Sequence, residues 1–402
     1  MEDRPSNECL GTESDDLSRY LSKASATQTP LSASFELTRR CNFRCVHCYL
    51  GDQEALRQHR QQELDTDTII KLLNQMVEAG TLFLTLTGGD PMLRTDFIRI
   101  YEHAVRSGLL VSVYCNGSQV TKEIASSFKK FPPRIVEITL YGATQKTFET
   151  ITQKPSSYTA CMRGISLLRQ AGVRLRLKTM AITLNCNELP AMRSMAKDMN
   201  LQFRHDCSII PVLPNEDNRG RTNISNNIIN VDAQENPLQE TLRFRLSPEQ
   251  AAVIDADADD VKKILQDLTR QQDDITKLSE EPSRKIYHCG AGRVSYHITP
   301  YGTIQPCIIT LQPSVDCVTG SQDFVLYWKN LHEKFARQQA AIDFSCNTCG
   351  DKKLCTGCPS AFALEKGSPQ EAPSFYCTYA ACRRKQSSDS QHNFHLPPLR
   401  VR

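Results

Sequence analysis

From residue 33 to residue 207, short β-branched and apolar runs alternate with amphipathic runs of helical period, and nothing else in the chain limits its fold so strongly. The strand-like runs are ASFELT (33–38), LFLTL (82–86), LLVSVY (109–114), RIVEITL (134–140), VRLRLKTM (173–180) and LQFRHDC (201–207). Between the first two, TDTIIKLLNQMVEAG places Ile69, Leu72, Leu73, Met76 and Val77 on one helical face, with Gly80 as a stop. Further helices are expected near 95–107, 121–130, 158–171 and 188–199. Six strands, each but the last followed by a helix, imply a parallel sheet with right-handed crossovers. A partial barrel and an open doubly wound sheet both satisfy that order. In either, function belongs on the loops that leave the C-terminal ends of the strands.

The rest of the chain is less regular. Residues 1–32 are polar and aperiodic and read as a mobile leader. An Asn-rich connection opens a variable linker over 208–286, in which a helix capped by Ser247 restarts at 247–271. A cysteine-rich domain is expected at 287–382 and a disordered tail at 383–402. The net charge of +3 gives no sign of a nucleic-acid or anionic-membrane surface. No run of eighteen apolar residues is present, and the acidic, polar N-terminus does not read as a secretory signal, so a cytoplasmic protein is expected.

Seventeen cysteines in such a setting point to metal or catalytic thiols rather than disulfides. Cys41, Cys45 and Cys48 follow the first strand in a CxxxCxxC spacing, one thiolate short of a closed tetrahedral site. Cys289, Cys307, Cys346, Cys349, Cys355, Cys358 and Cys377 form a second rhythm, whose close-set CxxC pairs also suit a zinc ribbon. Most of the scattered others, such as Cys115, Cys161, Cys186 and Cys207, read as small apolar fillers.

The loop TRRCNFRCVHCYLGD closely resembles the signature of the radical S-adenosylmethionine (SAM) enzymes. The resemblance implies a partial (β/α)6 TIM-like barrel and a 4Fe–4S cluster on Cys41, Cys45 and Cys48 whose open iron chelates SAM. In that family an electron from the cluster cleaves SAM to a 5′-deoxyadenosyl radical. TGGDP (87–91) resembles the family's GGEP, with Asp90 in place of Glu. Gly88 and Gly89 would then let backbone carbonyls approach a ligand amino group that a Cβ would obstruct. By the same resemblance Asn116 in CNGS contacts cofactor or substrate, and Thr139 in ITLYG bonds the SAM carboxylate. His47 lies near the adenine, and Lys178 is a further candidate for the pocket.

The second cysteine series closely resembles the SPASM extension of radical SAM enzymes, with CTGC one residue shorter than the usual last spacing. That likeness implies two auxiliary 4Fe–4S clusters, one on Cys289, Cys307 and Cys358, the other on Cys346, Cys349, Cys355 and Cys377. Cys317 or Cys382 would complete the first, or its fourth position would stay open to a substrate atom. Runs such as LYGATQKTFETIT look most like peptide maturases of ribosomally made natural products, which implies a precursor-peptide substrate. Ile308 stands after Cys307 where sulfatase-maturing relatives carry an acidic base, which disfavours formylglycine formation. A leader of 32 residues is too short for a leader-recognition domain, so that module is expected as a separate protein. An electron donor such as flavodoxin or ferredoxin is the other expected partner. The competing readings are radical dehydrogenation or rearrangement of a small molecule, and a non-catalytic iron–sulfur or zinc protein.

Overall fold

The structure is a computed structural model and describes residues 22–214, 237–258, 261–268, 285–318 and 323–388. Six strands, β1 (Ser32–Thr38), β2 (Phe83–Gly88), β3 (Leu110–Cys115), β4 (Ile135–Thr139), β5 (Leu175–Met180) and β6 (Gln202–Asp206), pair in parallel in sequence order. A doubly wound sheet would reverse its order at a switch point. Sequential order instead keeps every right-handed crossover on one face, so the sheet curls as a partial barrel with its helices outside.

The helices are α1 (Gln53–Gln58), α2 (Thr66–Glu78), α3 (Phe97–Arg106), α4 (Lys122–Lys130), α5 (Gln145–Thr152), α6 (Ser157–Gln170) and α7 (Leu189–Asp198). Side-chain caps fix several starts: Asp65 for α2, Thr121 for α4 and Thr144 for α5 each accept from a first-turn backbone N–H. The expected face of α2 is buried at Ile69, Leu72, Leu73 and Met76. Two elements near the cysteine loop, α1 of 6 residues and α5 of 8, are too short for a helical period to stand out in the sequence.

The C-terminal segment departs from the expected separate domain. After α8 (Pro248–Ala256), strands β7 (Ser295–Ile298), β8 (Thr303–Gln305) and β9 (Val315–Asp316) extend the same sheet, β7 pairing in parallel with β1. Helix α9 (Phe324–Ala336) buries Phe324, Tyr327, Trp328 and Leu331 in the barrel's core. A second, smaller core of Tyr287, Phe335, Phe344, Phe362 and Tyr376 gathers the remaining turns with α10 (Pro359–Lys366) and α11 (Ser374–Ser388).

Both expected ends need correction. Residues 24–31 pack rather than trail: Leu31 is buried, Trp328 Nε1 donates to Gln28 O at 2.5 Å, and Thr81 Oγ1 donates to Pro30 O at 2.8 Å. Residues 383–388 belong to α11, where Arg383 Nε lies 2.7 Å from Asp255 Oδ2. The same carboxylate takes Tyr379 OH at 2.5 Å and His205 Nε2 at 3.0 Å, clamping α11 to α8 and β6. Cys207 lies close enough to complete a ligand trio with His205 and Asp255, but the bonded guanidinium opposes a cation there. The rest of the expected leader, linker and tail lies outside the described residues. No described helix is long and apolar enough to cross a membrane.

Candidate active site

The cysteine loop leaves β1 and is held from three sides. Gln53 of α1 accepts from Cys41 N at 2.5 Å and donates to Arg39 O at 3.4 Å. The last turn of α5 offers Thr152 O to Arg44 N at 2.9 Å and Ile151 O to Val46 N at 3.0 Å. Phe43, between the first two cysteines, is buried edge-on to Tyr141 and Phe148. Intervening residues thus anchor the loop and leave its sulfurs facing inward.

Cys41, Cys45 and Cys48 line one cavity of about 350 Å³, together with His47, Gly88, Gly89, Asn116 and Thr139. It opens at the C-terminal strand ends, as the α/β order requires. Burial pushes the Cys41 thiol up to about 12, helped by the Asp90 charge. Burial also raises Cys45, and the neighbouring Cys48 and Cys41 raise it further. Three half-buried thiols, two of which are further held from ionising by their neighbours, are a donor set that a bound cation or cluster would relieve. They fit a 4Fe–4S cluster.

Asn116 lines the cavity, but its side chain is already engaged: Nδ2 donates to Asn42 Oδ1 at 2.9 Å and lies 3.6 Å from Cys41 Sγ. Ser118 N donates to Asn116 Oδ1 at 2.9 Å, so the CNGS turn braces the first cysteine. Burial lowers His47 to about 4, leaving a neutral imidazole whose buried Nδ1 has no hydrogen-bond partner among the described residues.

The TGGDP turn sits where expected, for a different reason. A Cβ on Gly88 would fall 2.0 Å from Thr38 O, and one on Gly89 would fall 2.3 Å from Arg40 O. Gly88 also has φ +138°. The glycines therefore allow the turn to lie against the root of the cysteine loop, where Gly89 N donates to Thr38 O at 2.9 Å. Asp90 does not line the cavity: it is fully buried and accepts from Met92 N and Asn116 N, each at 3.0 Å. It ties the second strand's loop to the third's.

Sequence reading passed over the wall made by β3–β6, where Tyr114, Arg204 and Asp206 join Lys178 on the cavity. Glu137, buried behind them, accepts from Arg204 Nη2 at 2.7 Å and Arg176 Nη1 at 2.9 Å. Polar residues at every second position, Arg176 and Lys178 in LRLKTM and Gln202, Arg204 and Asp206 in QFRHD, were the available signal.

The other cysteines fall into two groups. Cys307 feels the charges of Cys358 and Cys289, whereas Cys355 feels those of Cys346, Cys349 and Cys377. Cys289 and Cys377 are exposed. Neither candidate for a fourth ligand joins the first group. Cys317 is buried against β8 and donates to Gly302 O at 3.1 Å, and Cys382 lies near Glu249 and Lys385. Cys115, Cys161, Cys186 and Cys207 are core residues.

A family model described as the Radical SAM superfamily matches residues 35–192. The AdoMet-dependent heme synthase of Methanosarcina barkeri is 24% identical over 362 residues, covering 88% of this chain and 97% of that protein. The Bacillus subtilis subtilosin biosynthesis protein AlbA is 24% identical over 284 residues, covering 70% and 55%. Among solved structures, Streptococcus suis SuiB bound to S-adenosylmethionine superposes with a TM-score of 0.57 at 15% identity, over 92% of this chain and 80% of that one. The anSMEcpe structure with bound AdoMet and a Cp18Cys peptide gives 0.60 at 13% identity, over 89% and 97%. The cofactors of the superfamily are a 4Fe–4S cluster and SAM. Three cysteines on the first loop of a sequentially ordered parallel barrel, within the matched stretch, make residues 35–192 of this chain a radical SAM domain.

Proposed function

We propose that the chain is a radical SAM enzyme with a C-terminal SPASM region, which abstracts hydrogen from a peptide to install a modification. The observation that carries this reading is the meeting of Cys41, Cys45 and Cys48 with Gly88, Gly89, Asn116 and Thr139 on one cavity. When bound there, the cluster and SAM supply a 5′-deoxyadenosyl radical able to break an unactivated C–H bond.

The chain's own residues hold and shield. Phe43 and Tyr141 close the apolar side of the loop and limit water beside the thiols. Asn116 and Gln53 fix the Cys41 end of the loop. Thr139 offers a hydroxyl at the end of β4 for a polar group of SAM, and neutral His47 offers an apolar ring face. Asp90 acts as a brace in this proposal, not as a ligand. Cys289, Cys307 and Cys358 would hold one auxiliary cluster, and Cys346, Cys349, Cys355 and Cys377 another. A separate leader-recognition protein and a flavodoxin- or ferredoxin-type donor complete the proposed partners.

AlbA, whose name places it in bacteriocin biosynthesis, and the peptide-bound SuiB and anSMEcpe structures support a peptide substrate. A second reading, radical chemistry on a tetrapyrrole, is favoured by the heme synthases that match most of this chain. Anaerobically reconstituted protein, SAM and reductant should be incubated with a short peptide encoded beside the gene and, separately, with Fe-coproporphyrin III. Release of 5′-deoxyadenosine with a mass shift on the peptide is the expected result, lost in Cys41→Ala. A mass change confined to the tetrapyrrole would establish the second reading, and no SAM cleavage at all would remove both.

A further inference from the structure

Three cations converge on one buried carboxylate in the cavity wall. The parallel register sets Glu137 beside Arg176, Thr139 beside Lys178, and Lys178 beside Arg204. Glu137 is 1% exposed and lies 2.9 Å from Arg176 Nη1, 2.7 Å from Arg204 Nη2 and 3.6 Å from Lys178 Nζ. Lys178 Nζ also stands 3.8 Å from the centroid of the Tyr114 ring. Of these groups, Lys178, Arg204 and Tyr114 line the cavity, along with Asp206.

Like charges at such spacing repel, and although Glu137 is fully buried, Arg176 and Arg204 are 33% and 42% exposed and keep part of their hydration. Here Arg176, Lys178 and Arg204 face Glu137 and Asp206, which leaves one positive charge on the wall. Glu137 occupies the rear of the cluster, so the uncompensated side is the one turned to the cavity. Arg204 spends Nε and Nη2 on Glu137, at 3.3 and 2.7 Å, so its Nη1 edge beside the Lys178 ammonium is the part that suits a further carboxylate. The polar inner face of the neighbouring strands would keep such an anion solvated while it is held.

We propose that Lys178 and Arg204, braced by Glu137, form a carboxylate-binding subsite of this cavity, and that it takes a carboxylate of the substrate. The inference rests on the reading of this cavity as the reaction site and narrows its substrate class: an acidic side chain or C-terminal carboxylate of a peptide. The one other carboxylate that would enter the cavity is SAM's own, so the test separates the two.

Anaerobically reconstituted protein saturated with SAM is titrated calorimetrically with N-acetylglutamate and with the neutral N-acetylglutaminamide. N-acetylglutamate should bind, and Lys178→Met or Arg204→Met should weaken it about tenfold or more, as expected for a lost charge-assisted contact. Lys178→Arg should restore most of that loss, and N-acetylglutaminamide should bind wild type and variants alike. Thermal midpoints of the variants check that Glu137 still holds the wall through its other partners. The affinity for SAM, measured by equilibrium dialysis, should change little. A fall in SAM affinity with unchanged N-acetylglutamate binding would assign the wall to the cofactor and overturn the substrate assignment. Indifference of both ligands to the substitutions would overturn the subsite. Charge-dependent N-acetylglutamate binding in a protein that never cleaves SAM would sustain the subsite while removing the proposed reaction.

Discussion

Asp90 shows how a matched motif can locate a residue without revealing its work. The TGGDP likeness places the carboxylate at a ligand, yet both oxygens take backbone N–H groups. Burial raises its carboxyl from 3.8 to about 6, with those two bonds acting in the other direction. Between these values the folded chain holds a proton that the unfolded chain has released. The contribution of Asp90 to stability therefore falls as pH rises from 3.8 to about 6 and is flat above. Asp90→Asn should flatten that segment in a plot of the urea midpoint against pH. Asp90→Ala should cost about 1–3 kcal/mol, because Met92 N and Asn116 N lose their acceptor. Since Asn116 leads on to Asn42 and Cys41, the alanine variant should also retain less iron. An unchanged midpoint and full iron would show the carboxylate to be dispensable. What the sequence conveyed at this scale was position; which neighbours a buried oxygen meets depends on a contact across strands.

The strands carry a pattern that was legible and was not used. Parallel strands buried on both faces normally read as unbroken apolar runs. Here every second residue is polar: Ser34 and Glu36, Thr85 and Thr87, Glu137 and Thr139, Arg176 and Lys178, then Ser295 and His297. Such a face lines a lumen meant to hold something other than core side chains. The joining of β7 to β1 was not legible, because SYHI is four residues long and its partner is remote in sequence.

That junction has its own polar lock. Glu36, fully buried, bonds Arg39 Nε at 3.0 Å and lies 3.6 Å from His297 Nε2, while Ser34 Oγ lies 2.8 Å from His297 Nδ1. Burial alone would raise the Glu36 carboxyl, but Arg39 and His297 hold it at about 2. Its stabilising effect is present above its ordinary 4.5 and is lost as pH falls towards about 2. Arg39→Met should destabilise the protein by about 3–5 kcal/mol at neutral pH, since it strands a buried charge. Adding Glu36→Gln should recover most of that loss in the same urea titration. A double variant no more stable than the single one would mean that Arg39 acts through other contacts, such as its approach to the Tyr301 ring.

At the scale of the whole molecule, the division between the two cores does not follow the expected domain boundary. Within α9, Phe324, Tyr327, Trp328 and Leu331 belong to the barrel core, whereas Phe335 stacks on Tyr287 in the smaller one. Helix α11 is split likewise, with Tyr379 in the first core and Tyr376 in the second. The sequence could not place that seam, because cysteine spacing marks ligands and not the surfaces that apolar neighbours share. The smaller core includes Cys307, Cys346, Cys355 and Cys358 at its edge, so metal binding there would supply part of its folding free energy. A core of so few apolar residues buries little surface and depends on such a staple. Iron removal by an anaerobic chelator should therefore open the molecule locally. Amide exchange across 340–362 should quicken about tenfold or more, while β7, β8 and the first turns of α9 keep the protection of the barrel. The boundary of lost protection should fall inside α9, between Leu331 and Phe335, because that is where the helix changes the core it serves. Exchange rising equally on both sides of that point would mean that a single cooperative unit spans the chain, with the metal sites stabilising the barrel as much as the turns that carry them.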